Sequence, residues 1–168
     1  MISAVIAFDP PSWHDYFLAT SGAGAALAGL VFVALSINLR EILKGPFLVS
    51  RAGEAVTLLV EIVIVGLFGL TPGIDSAVLG VLIAATGLIV WGVVTRARIR
   101  AFGAPGPTLW QRIWAFGVTE LATIPVVIAG ASLIAGTGGG LYWLIVGVAF
   151  GIAASMVDAW VLLVEILR

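Results

Sequence analysis

Residues 55–70 read AVTLLVEIVIVGLFGL, and fifteen of these sixteen residues are compatible with a hydrocarbon environment. The exception is Glu61. Because a membrane-spanning helix needs about 20 mostly apolar residues, this stretch and its flanks predict a transmembrane helix. That helix carries a carboxyl group inside it, and the role of this group is the main functional question that the sequence raises.

The rest of the chain is equally apolar. Of its 168 residues, 61% are hydrophobic and 10% are charged, and the mean hydropathy is +1.20. A soluble domain carries nearer a quarter of charged residues, and a chain of this size cannot bury so much apolar surface inside itself. The composition therefore predicts a polytopic membrane protein.

Five stretches are long and apolar enough to span a membrane, which predicts an all-α bundle forming one domain over residues 1–168. We place the spans at residues 16–39, 52–71, 76–95, 111–135 and 141–166. Ser12 and Asp15 form a capping-box pattern before the first span. The segment 96–112 contains Pro and Gly, so we expect it to interrupt the helices and to lie at the membrane surface.

The basic residues indicate the orientation. With five spans they all fall on one side, at Arg40, Lys44, Arg51, Arg96, Arg98, Arg100, Arg112 and Arg168. Since basic loops stay in the cytoplasm, we predict an outside N-terminus and a cytoplasmic C-terminus. The aromatic residues Trp13, Tyr142 and Trp143 then mark the outer interface.

The sequence offers little for catalysis. It contains no cysteine and one histidine, and it lacks the nucleophile, zinc-protease and phosphate-loop motifs. We expect no enzymatic activity, no cofactor, no metal centre built on histidine or cysteine, and no nucleic-acid partner.

Three acids fall inside the predicted spans: Glu61, Glu120 and Asp158. Counted from the predicted span ends they lie at similar depth, and no Lys, Arg or His lies within a span to pair with them. Because a charged group in mid-bilayer costs at least about 2.5–3.5 kcal/mol, they must be protonated, share a cation or line water. They are candidates for a proton or cation site, with Thr57, Ser36 and Asn38 as further polar contributors, and the alternative is that they are buried packing groups. Outside this set, we expect Glu54 to be a surface partner of Arg51.

Small residues mark close helix contacts in membranes. In the fifth span, Gly147, Gly151 and Ala154 share a stripe with Asp158, so we expect this acid to face protein. In the first span, Gly22, Ala26 and Gly29 form a second stripe. That stripe packs within one subunit or forms a homo-oligomer interface or a pore lining.

The arginine cluster has two interpretations. Its members either bind anionic lipid headgroups or serve only to set the orientation of the chain in the membrane. They are Arg96, Arg98, Arg100 and Arg112. Membrane lipid is the expected partner in the first case.

Residues 13–43 read WHDYFLATSGAGAALAGLVFVALSINLREIL. The Trp-x-Asp-x-Phe entry, the Gly/Ala-rich run and the SINL exit resemble the first span of a family of small bacterial multi-pass membrane proteins of uncharacterised function. The resemblance implies a bacterial inner-membrane setting and no particular activity.

Two functional hypotheses follow. The favoured one is a homo-oligomeric channel or transport-type protein whose carboxylates bind or conduct protons or cations. The alternative is a non-conducting accessory or scaffold subunit that binds another membrane protein through its Gly/Ala-rich first span.

Overall fold

A computed structural model describes residues 6–101 and 108–166, with the backbone alone at positions 46, 101, 111, 112 and 163–166. A short 3₁₀ helix, Pro10–Trp13, precedes five long helices. These are α1 (His14–Ile42), α2 (Pro46–Gly69), α3 (Ser76–Ala101), α4 (Leu109–Ala135) and α5 (Tyr142–Ile166). All five are long and apolar enough to cross a membrane, and the described residues contain no strand. The predicted all-α fold with five helices of membrane-spanning length is confirmed, and the orientation of the termini stays a prediction.

Two helices, α2 and α3, extend six residues further at one end than predicted. α2 begins at Pro46 rather than at residue 52, because Gly45 is extended (φ −143°, ψ 134°) and a proline suits the first helical turn. α3 continues to Ala101, through the arginines that we assigned to a surface segment. The expected helix interruption is therefore wrong for residues 96–101, since Arg and Ala favour helix and the first helix breaker after them is Gly103. The expected location at the membrane surface stays a prediction.

The start of α1 also differs from its prediction. The Ser12 hydroxyl donates a hydrogen bond to the Asp9 carboxylate, and the residue that precedes the helix is Trp13, which has no side-chain cap bond. The capping box is therefore not formed. The paired prolines instead begin the 3₁₀ turn that leads into α1.

α2 lies at the centre of the bundle and packs against α1, α3 and α5, while α4 packs against α3 and α5. Glycines permit the closest of these approaches. A Cβ added at Gly66 of α2 would lie 2.6 Å from the Cβ of Ser21 on α1, and one at Gly80 of α3 would lie 2.8 Å from the Gly130 carbonyl of α4. These contacts fit the small-residue packing of membrane helices.

The two ends of the bundle differ in charge. We call the end where α1, α3 and α5 finish and α2 and α4 begin the basic end, since the arginines on the described helices lie there. At the opposite end the N-terminal segment crosses the bundle, and the Leu141 amide donates to the Ala7 carbonyl at 2.9 Å. The indole of Trp13, which is buried, donates to the Ile6 carbonyl at 2.9 Å and meets Tyr142 edge-on.

Candidate functional site

Four charged residues come together near the basic end and form two ion pairs. Glu54 of α2 has the least exposed side chain of the four, and it has two hydrogen-bond partners. Its Oε1 accepts hydrogen bonds from Arg98 Nη2 of α3 and from Thr119 Oγ1 of α4, each at 2.5 Å. The Glu54 side chain is buried. The prediction that Glu54 is a surface partner of Arg51 is therefore wrong, because side chains of α3 and α4 cover Glu54 and supply its partners.

Asp158 of α5 forms the second ion pair of this cluster. Its Oδ1 lies 3.4 Å from Arg51 Nη1, and the side chains are 4% and 16% exposed respectively. Glu54 and Arg98 are close enough for their charges to act on Asp158 as well. The cluster therefore contains two acids, Glu54 and Asp158, and two arginines, and its formal charges cancel. The expectation that Asp158 has no basic partner is wrong, because Arg51 lies in the second turn of α2 rather than in a surface loop.

Several polar atoms of this region keep free hydrogen-bonding capacity. Asp158 Oδ2, Arg98 Nε and Thr95 Oγ1 are buried and have no hydrogen-bond partner among the described residues. Since nearly all buried polar atoms in proteins are paired, their concentration here marks the cluster as the most polar part of the interior.

Glu61 lies apart from the cluster. It follows Glu54 by two turns on the same face of α2, and Leu58 between them packs against Val90, Val94, Ala122 and Ala154. The Glu61 side chain is 3% exposed, and its Oε1 has no hydrogen-bond partner in the described chain. On the other side, Val65 belongs to the apolar core of the opposite end. A carboxyl group is thus held between two apolar layers, where its charged form is costly and protonation lowers that cost.

Glu120 has a third setting. It is half-buried on α4, and its Oε2 accepts a hydrogen bond from Trp91 Nε1 of α3 at 2.9 Å on the outer surface of the bundle. Along their helices, Glu61 is fifteen residues from the basic end, Glu120 eleven and Asp158 eight, or roughly 22, 16 and 12 Å at 1.5 Å per residue. The similar depth that we predicted rested on span ends that the structure moves.

The three acids therefore do not share one environment. Over residues 6–101 and 108–166, no three Asp, Glu or His side chains are grouped so that they could hold a metal ion. Residues at comparable depth on different helices meet only if they face the same way, and Glu120 faces outwards while Glu61 and Asp158 face inwards.

The further polar candidates bond to their own helices. Thr57 donates to the Gly53 carbonyl at 2.7 Å, and Ser36, which is exposed, donates to the Phe32 carbonyl at 2.8 Å. Asn38 donates to the Ala34 carbonyl at 3.0 Å. In the described structure none of the three is a hydrogen-bond partner of the acids, so nothing in the geometry joins them to one site.

Two cavities lie elsewhere in the bundle. A cavity of about 10 Å³ lies between α1 and α5, beside Asn38. A cleft of about 240 Å³ at the opposite end is bordered by Pro10, Pro11, His14 and the turn at residues 69–74. Neither is lined by Glu61, Glu120 or Asp158.

The two small-residue stripes have contrasting settings. In α5, Gly147, Gly151 and Ala154 are buried, with Gly147 against Val126 of α4 and Gly151 against Ile62 of α2. In α1, Gly22, Ala26 and Gly29 are exposed, and a Cβ added at either glycine would meet nothing within 4 Å. Packing within the subunit therefore accounts for the α5 stripe and not for the α1 stripe.

The arginines predicted to bind headgroups are also divided. Arg96 and Arg100 are exposed, as a headgroup ligand requires. Arg98 points inwards and pairs with Glu54 through Nη2, so the structure gives no support to its assignment to lipid. The side chain of Arg112 lies outside the described residues.

Sequence reasoning missed three residues as partners of any acid, and it assigned Arg51 to Glu54 rather than to Asp158. The three missed residues are Arg98, Thr119 and Trp91. The Gly45–Pro46 pair, a helix-start signal, could have placed Arg51 and Glu54 on one helix. Nothing in the sequence links Thr119 to Glu54 or Trp91 to Glu120. No family model, curated protein or solved structure matches this chain, so the candidate residues rest on its own geometry.

Proposed function

We propose that this chain is a non-enzymatic subunit of a membrane assembly and that it associates with a second copy of itself through the outer face of α1. The observation that carries this proposal is the exposed stripe of Gly22, Ala26 and Gly29. Glycine inside a helix costs about 1 kcal/mol relative to alanine, and no close packing inside the chain requires it here. A stripe of small residues allows two helices to approach closely in lipid.

The low burial of α1 within the bundle supports the same conclusion. Of the 18 residues in its most apolar window, 17% are buried, against 33–56% in the other four helices. A symmetric dimer places the same face of each copy in contact, so α1 would pack on α1.

The settings of the acids favour a subunit of this kind over a channel. Asp158 and Glu54 are neutralised by arginines of the same chain. Beyond Glu61, Val65 leads into an apolar core that includes Phe17, Leu79 and Ile83. An aqueous path needs polar groups on both sides of the ion site, and the described interior beyond Glu61 offers mainly apolar ones.

Proton binding at Glu61 is a second candidate function, favoured by one observation. The carboxyl is 3% exposed with an unpartnered oxygen, and intramembrane ionisable residues are often functional. On this hypothesis a proton enters from the basic end, past Glu54, and the site is of transport type.

The membrane setting is part of the proposal. The N-terminus lies outside and the C-terminus in the cytoplasm of a bacterial inner membrane, because the basic end carries the arginines. The exposed Arg40, Arg96 and Arg100 are then placed to contact anionic headgroups.

Disulfide cross-linking tests the α1 interface directly, since the chain contains no cysteine. Ala26→Cys in membranes is expected to give oxidised dimers, whereas the matched control Ala85→Cys, on an exposed position of α3, is expected to remain monomeric. Gly29→Leu added to Ala26→Cys should abolish the dimer. Equal cross-linking at both positions, or none at position 26, would count against association through α1.

Proton flux into liposomes separates the two candidate functions. Wild type, Glu61→Gln, Glu120→Gln and Asp158→Asn are compared with protein-free vesicles. A non-conducting subunit gives the protein-free rate in all four. Flux in wild type that disappears in Glu61→Gln would replace the subunit proposal by the transport-type one.

A further inference from the structure

Trp91 and Glu120 form a polar pair on the outer surface of the α3–α4 hairpin. The indole Nε1 of Trp91 lies 2.9 Å from Glu120 Oε2, and Trp91 is 40% exposed. Trp91 is ten residues from the end of α3 and Glu120 is eleven from the start of α4, so both lie about 15 Å along their helices from the basic end. The pair therefore faces the membrane interior rather than its surface.

A carboxyl group at this depth and on this side of the bundle is poorly compensated. Among the described residues, the neutral indole of Trp91 is the hydrogen-bond donor of Glu120. The acids inside the bundle differ, since Glu54 and Asp158 each have an arginine. In lipid, a carboxylate without a cation is costly, so Glu120 must either be protonated or be paired with a positive charge at this surface.

We propose that the Trp91–Glu120 pair is a docking site for a transmembrane helix of another membrane protein that carries a lysine or arginine in its middle. The cation pairs with Glu120, and the exposed ring of Trp91 adds a cation–π contact. The neighbouring exposed side chains Leu88 and Phe116, one helical turn from Trp91 and Glu120 respectively, provide apolar contact for the rest of the helix.

A second copy of this chain does not meet the requirement. The basic residues on its described helices lie within about five positions of a helix end at the basic end. Another copy in the same orientation holds them at that level, several ångströms closer to the surface than Glu120, and long basic side chains extend towards the surface rather than away from it.

The exposure of the site favours a helix over a small cation. Small-molecule sites are concave and enclose their ligand, whereas Trp91, Leu88 and Phe116 are exposed side by side on the outer surface of α3 and α4. This inference goes beyond the proposed self-association, because it uses α3 and α4 and leaves α1 free.

The test measures energy transfer in nanodiscs between the protein, labelled at Thr137→Cys at the opposite end, and synthetic transmembrane peptides. One peptide is a leucine helix with a central lysine, and the other has leucine at that position. We expect saturable transfer with the lysine peptide and at least tenfold weaker binding with the leucine peptide. Glu120→Gln should weaken binding of the lysine peptide at least tenfold, and Trp91→Phe about threefold.

Asp75→Asn is the control for general charge attraction. Asp75 is exposed outside the spans and accepts from the Ala77 amide at 2.9 Å, a bond that asparagine also accepts, so binding should equal that of wild type. Disulfide formation at Ala26→Cys reports whether Glu120→Gln still folds and self-associates, which separates failure here from failure of the α1 proposal.

Three results overturn the docking proposal. The first is equal binding of the lysine and leucine peptides, and the second is equal binding of the lysine peptide by wild type and Glu120→Gln. The third is Glu120-dependent binding of tetraphenylphosphonium without binding of the lysine peptide, which would reassign the pair to a small lipophilic cation.

Discussion

Arg51 of α2 and Asp158 of α5 form an ion pair across the interior of the basic end, with 3.4 Å between Nη1 and Oδ1. The pair joins the first turns of one helix to the last turns of another. With Glu54 and Arg98 it forms a balanced cluster that connects α2, α3 and α5, and Thr119 adds α4. Balanced charge makes buried acids tolerable in a bundle that is otherwise apolar.

Breaking this pair should destabilise the bundle. Arg51→Met leaves Asp158 buried without its cation, and we expect a loss of about 3 kcal/mol of unfolding free energy. The unfolding free energy is measured on the purified protein in mixed micelles, by adding increasing amounts of a denaturing detergent. Arg96→Met, at an exposed position, is the control and should change little. Equal effects of both variants would mean that the pair contributes nothing.

The charge-swapped double variant tests the same contact differently. Arg51→Asp combined with Asp158→Arg restores opposite charges between the two positions, so it should recover stability relative to either single change. A double variant as unstable as the sum of the single ones would indicate that the two side chains do not interact.

The hydroxyl of Thr119 should stabilise the cluster through Glu54. Thr119→Val keeps the shape and removes a bond to a charged acceptor, which we expect to cost about 1.5–3 kcal/mol. Thr57→Val is the matched control, because its hydroxyl donates to the carbonyl of Gly53 in its own helix rather than to an acid. The same unfolding measurement applies, and a Thr119 effect no larger than that of Thr57 would contradict the cluster geometry.

Glu61 should behave in the opposite way. Because its Oε1 has no partner in the described chain, Glu61→Leu removes a desolvated polar group and should raise the unfolding free energy by about 1–3 kcal/mol. Asp158→Leu, which removes a paired acid, should lower it. Destabilisation by Glu61→Leu would show that this carboxyl has a stabilising partner.

Two glycines of similar sequence context should respond differently to alanine. Gly66→Ala places a Cβ 2.6 Å from that of Ser21 and 3.1 Å from the Phe17 carbonyl, so α1 must shift, at a cost of about 1–3 kcal/mol. Gly92 has no neighbour within 4 Å, and alanine there should stabilise by about 0.5–1 kcal/mol through helix propensity. Thermal unfolding in detergent compares the two, and similar midpoints would argue against close packing of α1 on α2.

The sequence by itself determined the class of protein, the number of helices and the grouping of the basic residues at one end. These properties follow from composition and from hydrophobic length, which act on each segment separately. The inward stripe of α5 was also predictable, because its small residues repeat at helical spacing around Gly147 and Gly151. Helix ends were not determined in the same way, and the early start of α2 at Pro46 moved Arg51 from a predicted connection into the helix.

Only the tertiary structure decided which residues meet. Depth along a helix is readable from sequence, whereas the direction that a residue faces depends on how neighbouring helices pack. For this reason the sequence did not show that Glu54 bonds to Arg98 and Thr119. It also did not show that Asp158 pairs with Arg51, or that Glu120 faces outwards and bonds to Trp91. The glycine stripe of α1 followed the same rule: its spacing predicted a contact face, and the packing left that face open.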